Sequence, residues 1–144
     1  MRIILAIVML FFGLISYGQS VNVSDVTKGA NCAVLKPKVS GYDEIYKAIG
    51  AYITDKGYAL GKADKDLGII TTEYKQSNWG LLKLQFVIKD STVHLTAQSM
   101  ATGLGIDQVS NIGARGSYAK TRFIELYKIA NAFPSSAPVE FIIK

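Results

Sequence analysis

Cysteine occurs once in this chain, at Cys32, and histidine once, at His94. A single cysteine excludes an internal disulfide, so the fold must rest on core burial alone. It leaves that thiol either buried or paired with another chain, and the apolar run Ala33-Val34-Leu35 directly after it favours burial. A single histidine offers no metal cage, which takes several ligands. It offers no triad either, which needs a nucleophile beside an oriented base. Carboxylates are also sparse. Asp43 and Glu44 belong to a helix start, Asp64 and Asp66 to a turn, and Glu73 to the polar side of a strand. No catalytic residue emerges, no metal site or cofactor is expected, and the chain reads as non-enzymatic.

Long apolar runs are missing too. The longest begins after Met1-Arg2, runs from Ile3 to Phe12 and is extended by Gly13-Leu14-Ile15. At about thirteen residues it is shorter than the roughly 17–25 that cross a bilayer as a helix. Ser16 and Gly18 are small residues placed for a cut ahead of Gln19. A basic start, a short apolar segment and a small-x-small exit predict a secretory signal peptide over residues 1–18, with a retained anchor as the alternative. The expected location is the periplasm or the extracellular space. A lipoprotein would carry cysteine at the cut, and Cys32 lies too far along. Loss of Arg2 leaves fifteen basic against eleven acidic residues. That mild excess is no nucleic-acid footprint, which clusters on one face.

The remainder divides into a flexible polar arm, 19–31, and a single α+β domain, 32–144. Cys32 to Lys36 is a short extended piece before Pro37. Ser40 with Asp43 three residues later matches a capping box, and Ile45, Ile49, Tyr52 and Ile53 recur at helical spacing. Lys56-Gly57 closes that helix with a left-handed cap. Strands are expected over Tyr58–Lys62 and Ile69–Lys75, then over two alternating segments. Leu82, Leu84, Phe86 and Ile88 form one apolar register, and Val93, Leu95 and Ala97 the other, across an Asp90-Ser91 turn. The glycine-bearing connection 101–116 is functional, mobile or hides a turn of helix near Ile106–Ile112. A second helix is expected over Ser117–Phe133 with Ala119, Phe123, Leu126, Tyr127, Ala130 and Phe133 inward, stopped by Pro134. Val139–Lys144 reads as a terminal strand added to a sheet edge.

Several motifs fail on their own chemistry. Asp64-Lys65-Asp66-Leu67-Gly68 lacks the later ligands of a calcium loop, with Gly68, Ile69 and Lys75 where oxygen, glycine and glutamate belong. Gly113 to Thr121 ends in Lys-Thr, but Ala119 and Ala114 stand where a phosphate loop needs glycine. Asn22-Val23-Ser24 matches the glycosylation triplet, and Asp90-Ser91-Thr92 resembles a short O-glycosylation acceptor while also suiting a tight turn. Trp79 beside a turn either folds back on the sheet edge or, if exposed, stacks on sugars or rests at a membrane interface. Arg115, Ser117, Lys120 and Arg122 crowd the start of the second helix, where the macrodipole is already positive. Helix N-termini accept anions, so Arg115, Ser117 and Lys120 are candidate binding residues. The competing reading is a solvated basic turn with Arg115 paired to a carboxylate such as Asp107.

From Ser40 to Phe133, the helix ending Lys56-Gly57-Tyr58, the strand Gly68-Ile69-Ile70-Thr71-Thr72-Glu73-Tyr74 and the amphipathic strands after it carry a resemblance. The stretch resembles small exported Bacteroidota domains of unknown function with a helix-grip, or TATA-binding-protein-like, fold. It is also similar to helix-grip modules of outer-membrane-assembly lipoproteins, although no lipidation cysteine is present. The resemblance implies a two-layer sandwich, an antiparallel sheet of four to five strands with two helices on one face. The polar sheet face, with Lys83, Gln85, His94 and Thr96, or an exposed sheet edge is then the expected docking surface for an envelope protein. A small anionic ligand held between the sheet and the second helix is the alternative. Peripheral membrane contact remains open as a further role.

Overall fold

The computed structural model describes residues 22–77 and 80–144. The predicted signal peptide and Trp79 lie outside the described residues. In chain order the elements are β1 (Cys32–Leu35), α1 (Tyr42–Asp55), β2 (Leu60–Asp64), β3 (Ile69–Thr72), β4 (Lys75–Ser77), β5 (Gly80–Lys89), β6 (Thr92–Ala101), β7 (Gly105–Gln108), α2 (Tyr118–Ala132) and β8 (Glu140–Ile142). The fold is α+β. Its sheet is antiparallel in every pairing, in the order β2-β3-β5-β6-β1-β8, with β4 also on β5 and β7 also on β6.

The sheet has eight strands, where four to five were expected. Each addition has a local cause. The Cys32 piece pairs with β6 through Ala33 and Leu95, and with β8 through Ala33 and Phe141, so it is internal to the sheet. The expected Ile69–Lys75 strand breaks at Glu73-Tyr74 into β3 and β4, which pair with separate halves of β5. In the 101–116 connection, where a turn of helix near Ile106–Ile112 is one of three readings of the sequence, β7 forms instead and pairs with the far half of β6. All four residues of β7 are exposed, so no hydrophobic alternation announces it.

Register settles where the helices lie, because directly opposed residues share a sheet face. Phe86 opposes Leu95, Leu95 opposes Ala33, and Ala33 opposes Phe141, which makes one continuous row. Tyr52 of α1 meets Phe86 edge-on at 6.4 Å, and Phe123 of α2 meets Phe141 at 5.6 Å. Both helices therefore cover the same face. Tyr52 ties them together by donating its hydroxyl to the Ile129 carbonyl at 2.5 Å and packing on Phe133. Burial pushes its hydroxyl pKa up to about 12. Leu84, Phe86, Leu95, Ile49, Phe123 and Leu126 are all essentially buried, and each such side chain contributes roughly 1.5–3 kcal/mol of transfer free energy.

The helix ends differ in how well they were anticipated. The α1 stripe of Ile45, Ile49, Tyr52 and Ile53 is buried as expected, and Gly57 closes the helix at φ +70°. Its start is not a capping box: Gly41 occupies the cap with no side-chain hydrogen bond. Asp43 is taken by Lys65 at 2.9 Å instead, and that bond holds its carboxyl below the usual range. Ser117 does cap α2, accepting from the Lys120 amide at 3.3 Å.

The polar arm is folded onto the domain from Asn22 onward. Val23 and Ala30 are buried. Asn111, only 2% exposed, holds the segment from the other side of the chain. Its Nδ2 donates to the Val26 carbonyl at 2.8 Å and the Thr27 carbonyl at 3.1 Å. Its backbone exchanges two further bonds with Gly29 and Ala30. Low hydrophobicity suggested a loose segment; one buried asparagine supplies the acceptors and donors that order it.

Candidate functional site

The expected site residues fall into two separate groups. Lys83, Gln85 and His94 stand on the sheet face opposite the helices, since they alternate with the core residues Leu84, Phe86 and Leu95. His94 opposes Val87 on one side and Val34 on the other, while Gln85 opposes Thr96 and Lys83 opposes Gln98. Cys32 shares this face and is fully buried, its Sγ 3.7 Å from Nδ1 of His94. Burial pushes the Cys32 thiol pKa up and the His94 imidazole pKa down, with Lys89 and Lys144 also opposing a charge on the histidine. A thiol held protonated beside a neutral imidazole is not an activated nucleophile.

Arg115, Ser117 and Lys120 lie at the start of α2 on the other side of the sheet. They do not converge on an anion site. Lys120 donates its ammonium to Oδ1 of Asn111, Ser117 is spent on the helix cap, and Arg115 is exposed. The pair Arg115–Asp107 is not among the four ion pairs of the described residues.

One turn further along α2, Arg122 is 1% exposed, the largest fully buried side chain among the described residues. Its Nη1 donates to Oε2 of Glu125 at 2.6 Å and to Oγ of Ser77. Ser77 in turn donates to the Glu125 carboxylate at 2.8 Å. Tyr118 lies against the guanidinium, which stands 5.2 Å from the ring centroid. Among the described residues, Nε and Nη2 of Arg122 and the Tyr118 hydroxyl are buried without a hydrogen-bond partner. Nε–H and Nη2–H are the two parallel donors along one edge of a guanidinium, the edge that matches a carboxylate.

Arg122 lines a cavity of about 260 Å³ between α2 and the β6–β7 ladder, with Ser99, Asp107, Val109, Ile112 and Tyr118. The engaged corner of the guanidinium is turned to Ser77 and Glu125, which belong to a separate cleft of about 230 Å³ beside Tyr58 and Leu82. Burial, with the Glu125 charge adding, pushes the Tyr58 hydroxyl pKa up to about 12. A larger hollow of about 480 Å³ between Gln76, Gly80 and the Met100–Gly105 turn has no charged lining. Of these three hollows, the 260 Å³ cavity is lined by Arg122 and Tyr118, whose unspent Nε, Nη2 and hydroxyl are themselves closed off from solvent.

In the sequence Arg122 stands out only as one basic residue of a helix start. The stronger signal is its place in the apolar stripe, three residues after Ala119 and four before Leu126. Ser99 carries the same kind of signal, as the polar member of the inward register Val93, Leu95, Ala97, Ser99. Among the described residues, no group of three or more metal-ligating side chains is assembled, and no helix is long and apolar enough to cross a membrane. No protein-family model matches the chain, and no curated protein matches it.

Proposed function

We propose that this chain is a non-enzymatic binding protein that holds the carboxylate of a small anionic ligand in the cavity between β6–β7 and α2. The observation that carries this reading is a fully buried arginine whose Nε and Nη2 have no hydrogen-bond partner among the described residues. A buried donor without an acceptor costs about 1–3 kcal/mol, and more for a charged group. These donors and the Tyr118 hydroxyl are closed off from solvent in this structure, so a ligand carboxylate would satisfy both arginine donors, with two parallel charge-assisted bonds, by displacing the side chains that cover them. At about 260 Å³ the cavity lies below the roughly 300–1,000 Å³ of drug-sized sites, which suits a small metabolite. The export signal expected at residues 1–18 would place that ligand in the periplasm or outside the cell.

The test is a thermal-shift titration with a panel of small carboxylates. A ligand that binds the folded state raises the melting temperature with concentration, and Arg122→Lys, which keeps the charge but loses the fork, should abolish the rise. No shift with any carboxylate would refute the proposal. The second reading is an envelope protein docked on the helix-free sheet face. It is supported by the polar row of Lys83, Gln85, His94 and Thr96 that the register sets on one side. Retention of a partner by wild type but not by Lys83→Glu with Gln85→Ala would favour it.

A further inference from the structure

At the turn between β6 and β7, the helix-free face of the sheet ends on apolar side chains. Ala101 pairs with Gly105, and Thr102, Gly103 and Leu104 connect them. Gly103 and Gly105 take φ +80° and +81°, which glycine tolerates, and a Cβ on either would meet nothing within 4 Å. The turn thus projects clear of the domain. Leu104 in the turn is 64% exposed, and Ile106 just behind it is 58% exposed. Ile106 opposes Met100 and Met100 opposes Leu81, so one apolar row crosses three strands. It alternates with the buried residues Leu82 and Ser99, which sets it on the face away from the helices.

The next row on that face is polar and carries a cation. Lys83 opposes Gln98, and Gln98 opposes Gln108. The Lys83 ammonium lies over the Tyr74 ring, 5.6 Å from its centroid. None of the residues that β5, β6 and β7 turn to this face is acidic, since Asp107 shares the opposite face with Ser99 and Leu82. An anionic lipid surface has the same layering, an acyl boundary and then phosphate. Lys83 is two residues beyond Leu81, about 7 Å along the strand, which matches the roughly 5–10 Å that interfacial apolar groups enter. With the apolar row at the acyl boundary, the lysine stem follows apolar surface and its ammonium reaches the phosphates. Two exposed apolar side chains on a narrow turn offer far less than the roughly 800 Å² each side of a stable protein interface buries. We infer that the β6–β7 turn is a membrane-contact site that seats on an anionic lipid surface through Leu104 and Ile106, with Lys83 at the phosphates. This contact does not depend on any ligand at Arg122.

The experiment puts a polarity-sensitive fluorophore on Thr102→Cys in the turn, or on Asp66→Cys in the β2–β3 turn at the other end of the sheet. Cys32 is buried, which leaves the introduced thiol as the one that reacts. Each labelled protein is titrated with vesicles of phosphatidylcholine alone or mixed equally with phosphatidylglycerol. On the mixed vesicles the Thr102→Cys emission should move to the blue and saturate, while the Asp66→Cys emission stays in place. Leu104→Ser with Ile106→Ser should weaken vesicle binding about tenfold or more and, both side chains being exposed, leave the melting temperature unchanged. Lys83→Gln should weaken binding about fivefold, on the mixed vesicles alone. No shift in the turn, equal shifts at both labels, or a shift that survives the loss of Leu104 and Ile106 would overturn the inference. A blue shift that grows with protein concentration in the absence of lipid would overturn it too, making the turn an interface between copies.

Discussion

A Cβ placed on Gly80 would stand 3.3 Å from Nη2 of Arg122 and only 2.6 Å from the Met100 carbonyl oxygen. Gly80 has φ +124°, outside the range that side chains adopt comfortably. The first residue of β5 is thus bare backbone where the buried guanidinium lies over it. Strand geometry and site geometry meet at this residue.

Gly80→Ala should therefore act on both. Backbone strain of this kind costs about 1–3 kcal/mol, and the methyl must also displace Met100 or the guanidinium. Urea unfolding should show a loss of roughly 2 kcal/mol or more, and ligand binding should weaken in parallel. A variant as stable as wild type would mean that β5 begins differently.

Asn111 is predicted to be what keeps residues 22–31 on the domain. Asn111→Ala strips the Val26 and Thr27 carbonyls and the Lys120 ammonium of their partner, at a cost of about 1–3 kcal/mol. Trypsin should cut after Lys28 faster in the variant under native conditions, with hydrogen exchange rising over the same residues. Unchanged cleavage would show that the arm is held by something else.

Stability should fall in mild acid because of His94. Folding lowers its pKa from 6.5, chiefly through burial. The unfolded chain then binds more protons as the pH drops, so the stabilisation is complete above the unfolded value and is lost as pH falls through the folded one. Unfolding free energies measured between about pH 8 and pH 5 should decline, and His94→Gln should flatten that part of the curve. Asp43, also held low by Lys65, acts with the same sign but near the carboxylate range, below the histidine window.

The helices and the long β5–β6 hairpin were legible because their signals are periodic. Ile45 to Ile53 repeats at helical spacing, and Leu82 to Ile88 and Val93 to Ala97 alternate around an Asp90-Ser91 turn. The short strands were harder to read. β7 is a strand because it pairs with β6, and its exposed residues carry no pattern. The cap of α1 misled because Asp43 had a stronger partner, Lys65, that is distant in sequence. The cluster around Arg122 is harder to read, because Arg115, Ser117 and Lys120 are the conspicuous residues of that helix start. Basic residues at a helix start draw the eye, whereas a charge within an apolar stripe reads as an interruption until its partners Glu125 and Ser77 are seen.

A carboxylate bound on Nε and Nη2 of Arg122 would change the magnetic environment of both donors. The direct test is the arginine Nε–H signal in a proton–nitrogen correlation spectrum, assigned to Arg122 by its disappearance in Arg122→Lys and followed during titration with each carboxylate of the panel. The Arg122 Nε–H should be solvent-protected, and should shift and saturate with ligand while the Arg115 signal stays in place. An Arg122 signal that does not move at saturating ligand would contradict carboxylate binding there.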